Sequence, residues 1–136
     1  AIKPFDYMSL STIETDRPGN TYTADTLAQI YDSYKKIYFI IGADSLLYIQ
    51  DWYHPEYICS HCHLLCANRD NNSASVLIDQ KHFLADKYGA VIDFIDVPEL
   101  PYSSTDIRKK VAMGLSVKED VGEEVEEYIK SRKLYV

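Results

Sequence analysis

At 136 residues the chain has room for one domain with a real core and not for two ordinary ones. With 46% hydrophobic and 26% charged residues it has the composition of a folded globular protein, which excludes a disordered one. A formal charge of −7 excludes a broad surface for nucleic acid or anionic lipid, so any anion site must be local.

No apolar run reaches the 18 or so residues that span a bilayer, and no basic-then-apolar leader opens the chain, so a cytoplasmic protein without membrane contact is expected. Three cysteines within eight residues, Cys59, Cys62 and Cys66, cannot form a paired disulfide framework and suit a reducing compartment. The first residue is Ala1 rather than Met, which reads as a processed product or a piece of something longer.

Along the chain, "FDYMSLSTIE" alternates as a strand does, and "DRPGNTY" supplies the Pro and Gly of a loop. From Thr23, "TADTLAQIYDSYKK" sets Leu27, Ile30, Tyr31 and Tyr34 at helical spacing and closes on Lys35 and Lys36, which suit the negative end of a helix dipole. "IYFIIGAD" is almost wholly apolar and ends on Gly42 and Asp44, the pattern of a strand buried on both faces of a parallel sheet. "SLLYI" reads as a short helix, and "PEYICSHCH" as a helix with Pro55 in its first turn. "LLCAN" is a buried strand, "SVLIDQKHFLADKYG" a helix closed by Gly89, and "AVIDFIDV" a strand. A helix from about Ser104 to Ala112, stopped by Gly114, and a final charged helix through "EEVEEYIKSRKLY" complete the chain. Strands alternating with helices predict an α/β fold around a mostly parallel sheet in one domain over 1–136.

In "LPYSSTDIR", Ser103 and Asp106 stand three apart, and simple capping of the helix start accounts for them. With Ser104, Thr105 and Arg108 added, the same stretch has unpaired N–H groups, hydroxyls and a guanidinium one turn on, the makings of a phosphate cradle. It also follows a strand, where open α/β sheets bind ligands. In "IIGAD", Gly42 allows close backbone approach and Asp44 offers a carboxylate to sugar hydroxyls; a glycine turn with Asp44 as a cap is the plainer alternative. Trp52 and Tyr53 can stack on a heterocycle or serve as core anchors, and "NTYTADT" can be no more than a cap by Thr23 or Asn20. "CSHCHLLC" crowds Cys59, His61, Cys62, His63 and Cys66 too closely for the two separated pairs of a structural zinc site, so buried free thiols are expected and no metal site. His54 and His82 have no partner acid or nucleophile in sequence, and no Walker loop or GxGxxG is present.

Taken together, "NTYTADTL", "YFIIGADSLLYIQDWYHPEYI", "LLCANR" and "LPYSSTDIR", in this order and followed by "VEEYIKSRKLY", resemble the bacterial nicotinate-nucleotide adenylyltransferases. The resemblance implies a Rossmann-like nucleotidyltransferase fold, a mostly parallel sheet with helices on both faces. It implies transfer of AMP from ATP, with magnesium on the triphosphate, to nicotinate mononucleotide, giving deamido-NAD and pyrophosphate. Carried onto this chain, Thr23 and Tyr53 would offer backbone N–H groups to the nicotinate carboxylate while Trp52 stacks on the pyridine, and Asp25 would fix the loop or the substrate. Gly42 and Asp44 would face the nucleotide sugar, Ser103, Ser104, Thr105 and Arg108 would hold the ATP phosphates, and Arg69 would stand near the adenine.

Two departures qualify this. Asp70 follows Arg69 where the family shows Pro-Gly, and the family's His-x-Gly-His motif does not occur, so no catalytic residue is assigned in this chain. The resemblance begins in mid-domain, as though the first third of a family member were lacking. Alternatives are a non-catalytic nucleotide-binding remnant and a related adenylyltransferase acting on phosphopantetheine or nicotinamide mononucleotide. A sheet short of strands leaves edges open, so association with another copy or with the lacking part is expected.

Overall fold

The computed structural model describes residues 2, 4–68, 74–98 and 102–136. It forms two compact units, Ser11–Glu99 and Ala1–Leu10 with Leu100–Val136.

The larger unit opens with helix α1 (Thr23–Ile30), then strand β1 (Tyr38–Gly42), α2 (Ala43–Tyr48), α3 (Pro55–His61), β2 (His63–Asn68), α4 (Ala74–Tyr88) and β3 (Val91–Asp96). The three strands form one parallel sheet in the order β1-β2-β3, with Ile40 opposite Leu65 and Leu65 opposite Asp93. Gly89 closes α4 as expected: at φ +68° it bonds back to Ala85 while the Ala90 N–H reaches the Leu84 carbonyl.

Side-chain alternation divides the sheet into two faces. Ile41, Leu64, Cys66 and Ile92 point to one face and share a core with Leu46, Ile49, Ile58, Leu77 and Leu84 from the helices. On the other face Tyr38, Ile40 and Val91 are exposed, Ile40 by 67%. The expectation of a strand buried on both faces is therefore corrected, because helices of this unit cover only one side of β1.

Two further expectations change. The predicted helix over 23–36 ends at Ile30 and passes into a 3₁₀ turn, Tyr31–Ser33, where Asp32 and Ser33 are residues that compete for backbone hydrogen bonds. The predicted strand over 5–14 does not form; the Phe5 and Met8 amides are spent on turn bonds to Ile2 and Phe5.

The smaller unit carries α5 (Ser104–Ala112), α6 (Lys118–Val121) and α7 (Glu123–Ser131). Gly114 stops α5 at φ +71°, and Gly122 at φ +82° separates α6, which was not expected, from α7, which starts at Glu123 as expected and ends at Ser131, short of the expected 135. Val117 and Ile129 are buried, and the Lys110 ammonium pairs with Asp120 at 2.7 Å. Beside them Glu126, also buried, accepts from the Ser116 hydroxyl at 2.7 Å and the Val117 N–H at 2.8 Å.

Candidate functional site

In the larger unit Thr23 and Tyr53 each present a backbone amide. Thr23 is the first residue of α1, where helical N–H groups have no internal acceptor. Neither Thr23 nor Asn20 caps the helix: the position before it is Tyr22, which makes no side-chain capping bond. Tyr53 lies in the turn between a short 3₁₀ segment, Ile49–Asp51, and α3. Among the described residues the backbone N–H groups of Thr23 and Tyr53 have no acceptor.

What brings these segments together is an aromatic contact. The rings of Tyr22 and Tyr53 lie 4.5 Å apart between centroids, joining the residue before Thr23 to Tyr53 itself. His54 packs edge-on to Tyr53 at 4.1 Å and adopts a left-handed backbone, φ 50° and ψ 60°, directly before Pro55. That conformation is rare for a residue with a Cβ and is kept only where the surroundings over-determine it. The His54 ring also bonds the Glu56 carboxylate at 3.0 Å, which holds Glu56 below the usual carboxylate range.

Trp52 is half-buried, its ring set edge-on to Phe39 at 6.3 Å between centroids and packed on the core. It therefore anchors the turn, as the plainer reading has it, while part of its surface stays open.

Asp25 lies 3.9 Å from the Arg17 guanidinium, which also donates to the Thr26 hydroxyl at 3.2 Å; Thr26 in turn donates to Glu14 at 2.7 Å. These contacts tie the loop before α1 to its first turn. Asp25 also lines a cleft of about 550 Å³ with Ala28, His54 and Tyr57, between α1 and α3.

Gly42 ends β1 at φ −76°, and an added Cβ would meet no atom within 4 Å. Neither backbone conformation nor packing within the protein requires glycine there. Asp44, in the first turn of α2, is exposed and makes no capping bond, contrary to the plainer reading. Arg69 lies outside the described residues.

In the smaller unit Ser103 caps α5, its hydroxyl accepting from the Asp106 N–H at 3.4 Å. Ser104, Thr105 and Arg108 are exposed on the first turns, and no carboxylate among the described residues pairs with Arg108. The capping reading thus accounts for Ser103, while Ser104 and Thr105 make no side-chain hydrogen bond among the described residues.

Cys59, Cys62 and Cys66 are buried free thiols, as expected. Burial, reinforced by Glu56 for Cys59 and by Cys59 for Cys62, pushes Cys59 up to about 11 and Cys62 up to about 12; burial also raises Cys66. They pack as small hydrophobes and are poor nucleophiles or metal ligands. Among the described residues no three His, Cys, Asp or Glu side chains are grouped to hold a metal, and no helix is long and apolar enough to cross a membrane.

Sequence reasoning missed Tyr22 and Arg17, and its reading that His54 has no partner acid is corrected by the bond to Glu56, two residues on. The Pro55 that follows His54 was the local signal for its backbone, since proline restricts the residue before it.

A three-stranded parallel sheet whose strands alternate with helices defines an α/β protein of Rossmann-like type. The cytidylyltransferase-like family model matches residues 3–110. A probable nicotinate-nucleotide adenylyltransferase of Thermoanaerobacter sp. (strain X514) is 38% identical over 132 residues, 95% of this chain and 63% of that protein. One of the same name from Lachnoclostridium phytofermentans is 35% identical over 138 residues, 100% of this chain and 69% of that protein. The chain thus spans about two thirds of the length of these relatives. Among solved structures, a Plasmodium falciparum nicotinic acid mononucleotide adenylyltransferase complexed with APC superposes with a TM-score of 0.63 at 18% identity, over 87% of this chain and 60% of that one. The chain belongs to the cytidylyltransferase-like family, and within it to the nicotinate-nucleotide adenylyltransferases.

Proposed function

We propose that this chain carries the substrate-recognition part of a nicotinate-nucleotide adenylyltransferase, acting in the cytoplasm on ATP and nicotinate mononucleotide. The observation that carries the reading is the pair of unpartnered amides at Thr23 and Tyr53, joined through the Tyr22–Tyr53 ring contact and flanked by Trp52. Two fixed donors suit a carboxylate. A carboxamide would turn its own NH₂ toward one of them and leave two donors facing each other.

In the reaction, a phosphate oxygen of the mononucleotide attacks the α-phosphorus of ATP in line. A P–O bond forms there, the bond to the β-phosphate breaks, and pyrophosphate leaves with the magnesium that entered on ATP. Such a step needs positioning and charge neutralisation more than a protein nucleophile. Ser103, Ser104, Thr105 and Arg108 would hold the triphosphate, and the N-terminal end of α5 adds its positive dipole. Gly42, which the fold does not require as glycine, would let the nucleotide approach the backbone, with Asp44 accepting from the sugar. Arg69 is proposed near the adenine on the resemblance alone. The uncovered sheet face at Tyr38 and Ile40 supports association with a second copy or with a covering segment.

The test is calorimetric titration of the chain with nicotinate mononucleotide and with nicotinamide mononucleotide. The acid should bind at least tenfold more tightly, about the value of one unsatisfied buried donor. Equal affinities would contradict the assignment.

A further inference from the structure

Arg108 is the one phosphate-binding cation proposed in this chain that the structure describes, and among the described residues it packs against one aromatic ring. Its guanidinium carbon lies 5.7 Å over the ring of Tyr135. The only other arginine–ring pair among the described residues, Arg132 over Tyr128, joins α7 to the residue that follows its last turn, four residues on, and follows from helical spacing. Arg108 and Tyr135 are remote in sequence, so their meeting must be imposed by the backbone. Lys133 and Tyr135 both adopt left-handed conformations, φ 51° and φ 64°, although neither is glycine. Two such residues in three carry Tyr135 to a cleft of about 390 Å³ that it lines with Thr105, Arg108, Lys109 and Ala112. No carboxylate lines this cleft, in a chain of net charge −7.

We propose that Tyr135 is a positioning residue for Arg108: its ring holds the guanidinium by one face while leaving the N–H edge free for the ATP phosphates. An unbraced exposed arginine samples many rotamers and loses that freedom when it binds a phosphate; a ring under its plane removes part of the loss beforehand. The ring face and the phosphate do not compete, because a guanidinium stacks through its face and donates through its edge. The inference rests on the triphosphate-cradle reading of α5.

The experiment is equilibrium titration of ATP with magnesium into the full chain and into Tyr135→Phe, Tyr135→Leu, Arg108→Ala and the Arg108→Ala/Tyr135→Leu double variant, with nicotinate mononucleotide as the companion ligand. Tyr135→Leu should weaken ATP about two- to fivefold, the usual range for an exposed cation–ring contact, and leave the mononucleotide unchanged. Tyr135→Phe should retain wild-type affinity, and in the Arg108→Ala background the leucine change should have no further effect. Thermal melts of the single Tyr135 variants should match the wild type, since Tyr135 is half-exposed. Unchanged ATP binding by Tyr135→Leu, failure of Phe to rescue, or an equal loss without Arg108 would overturn the proposal. If the wild type does not bind ATP, or Arg108→Ala binds it normally, the cradle reading itself falls and this inference falls with it.

Discussion

Glu126 is a buried carboxylate whose charge is the basis of its role. The Ser116 hydroxyl first, then Lys130 at 3.0 Å and the Val117 N–H, hold its carboxyl down to about 2 from an ordinary 4.5. A depressed folded-state value stabilises the protein above the ordinary range, and that contribution is lost as pH falls from 4.5 toward 2. Thermal melts from pH 7 to pH 2.5 should therefore show the wild type losing stability in that window, with Glu126→Gln less stable at pH 7 and flatter below pH 4.5. A wild type and variant with parallel profiles would contradict this role for the charge. Glu126 was not singled out in the sequence because "EEVEEYIK" offers four acids, and only the return of the chain at Ser116 and Val117 selects one.

At the scale of elements, β1 carries the next expectation. Its alternate residues Tyr38 and Ile40 stand open while Ile41 is buried, and β2 pairs with only one of its edges. An exposed apolar strand face beside an edge that no described residue pairs with invites association. Light scattering should find species larger than one chain at high concentration, and Ile40→Glu should shift them toward the monomer; a wild type that stays monomeric throughout would contradict the expectation. The same strand shows what was legible. Its position and the glycine at its end follow from "IYFIIGAD", because an apolar run closed by a turn residue has few other readings. That one face would lack a cover does not follow, since it depends on elements remote in sequence. Helix α4 was legible to its last residue because Gly89 marks a left-handed closure. The strand expected over 5–14 failed because alternation gives a residue pattern and not a ladder partner.

Across the whole chain, the substrate half of the proposed site depends on pairs that no single motif records. "NTYTADT" and "WYHP" each read as a cap or a turn, and only the 4.5 Å contact of Tyr22 with Tyr53 sets two free amides beside one aromatic anchor. The phosphate half was more legible, because Ser103, Ser104, Thr105 and Arg108 lie within two turns of one helix. Its brace, Tyr135, was not, since left-handed backbone at Lys133 and Tyr135 has no signature in "SRKLYV". A net charge of −7 confines anion binding to such local sites, in keeping with small phosphorylated ligands rather than a polyanion. The most direct test is a crystal structure of the chain with nicotinate mononucleotide bound. The carboxylate should lie within hydrogen-bond distance of the Thr23 and Tyr53 amides and the pyridine against Trp52; a ligand seated elsewhere, with those amides facing solvent, would contradict the proposed site.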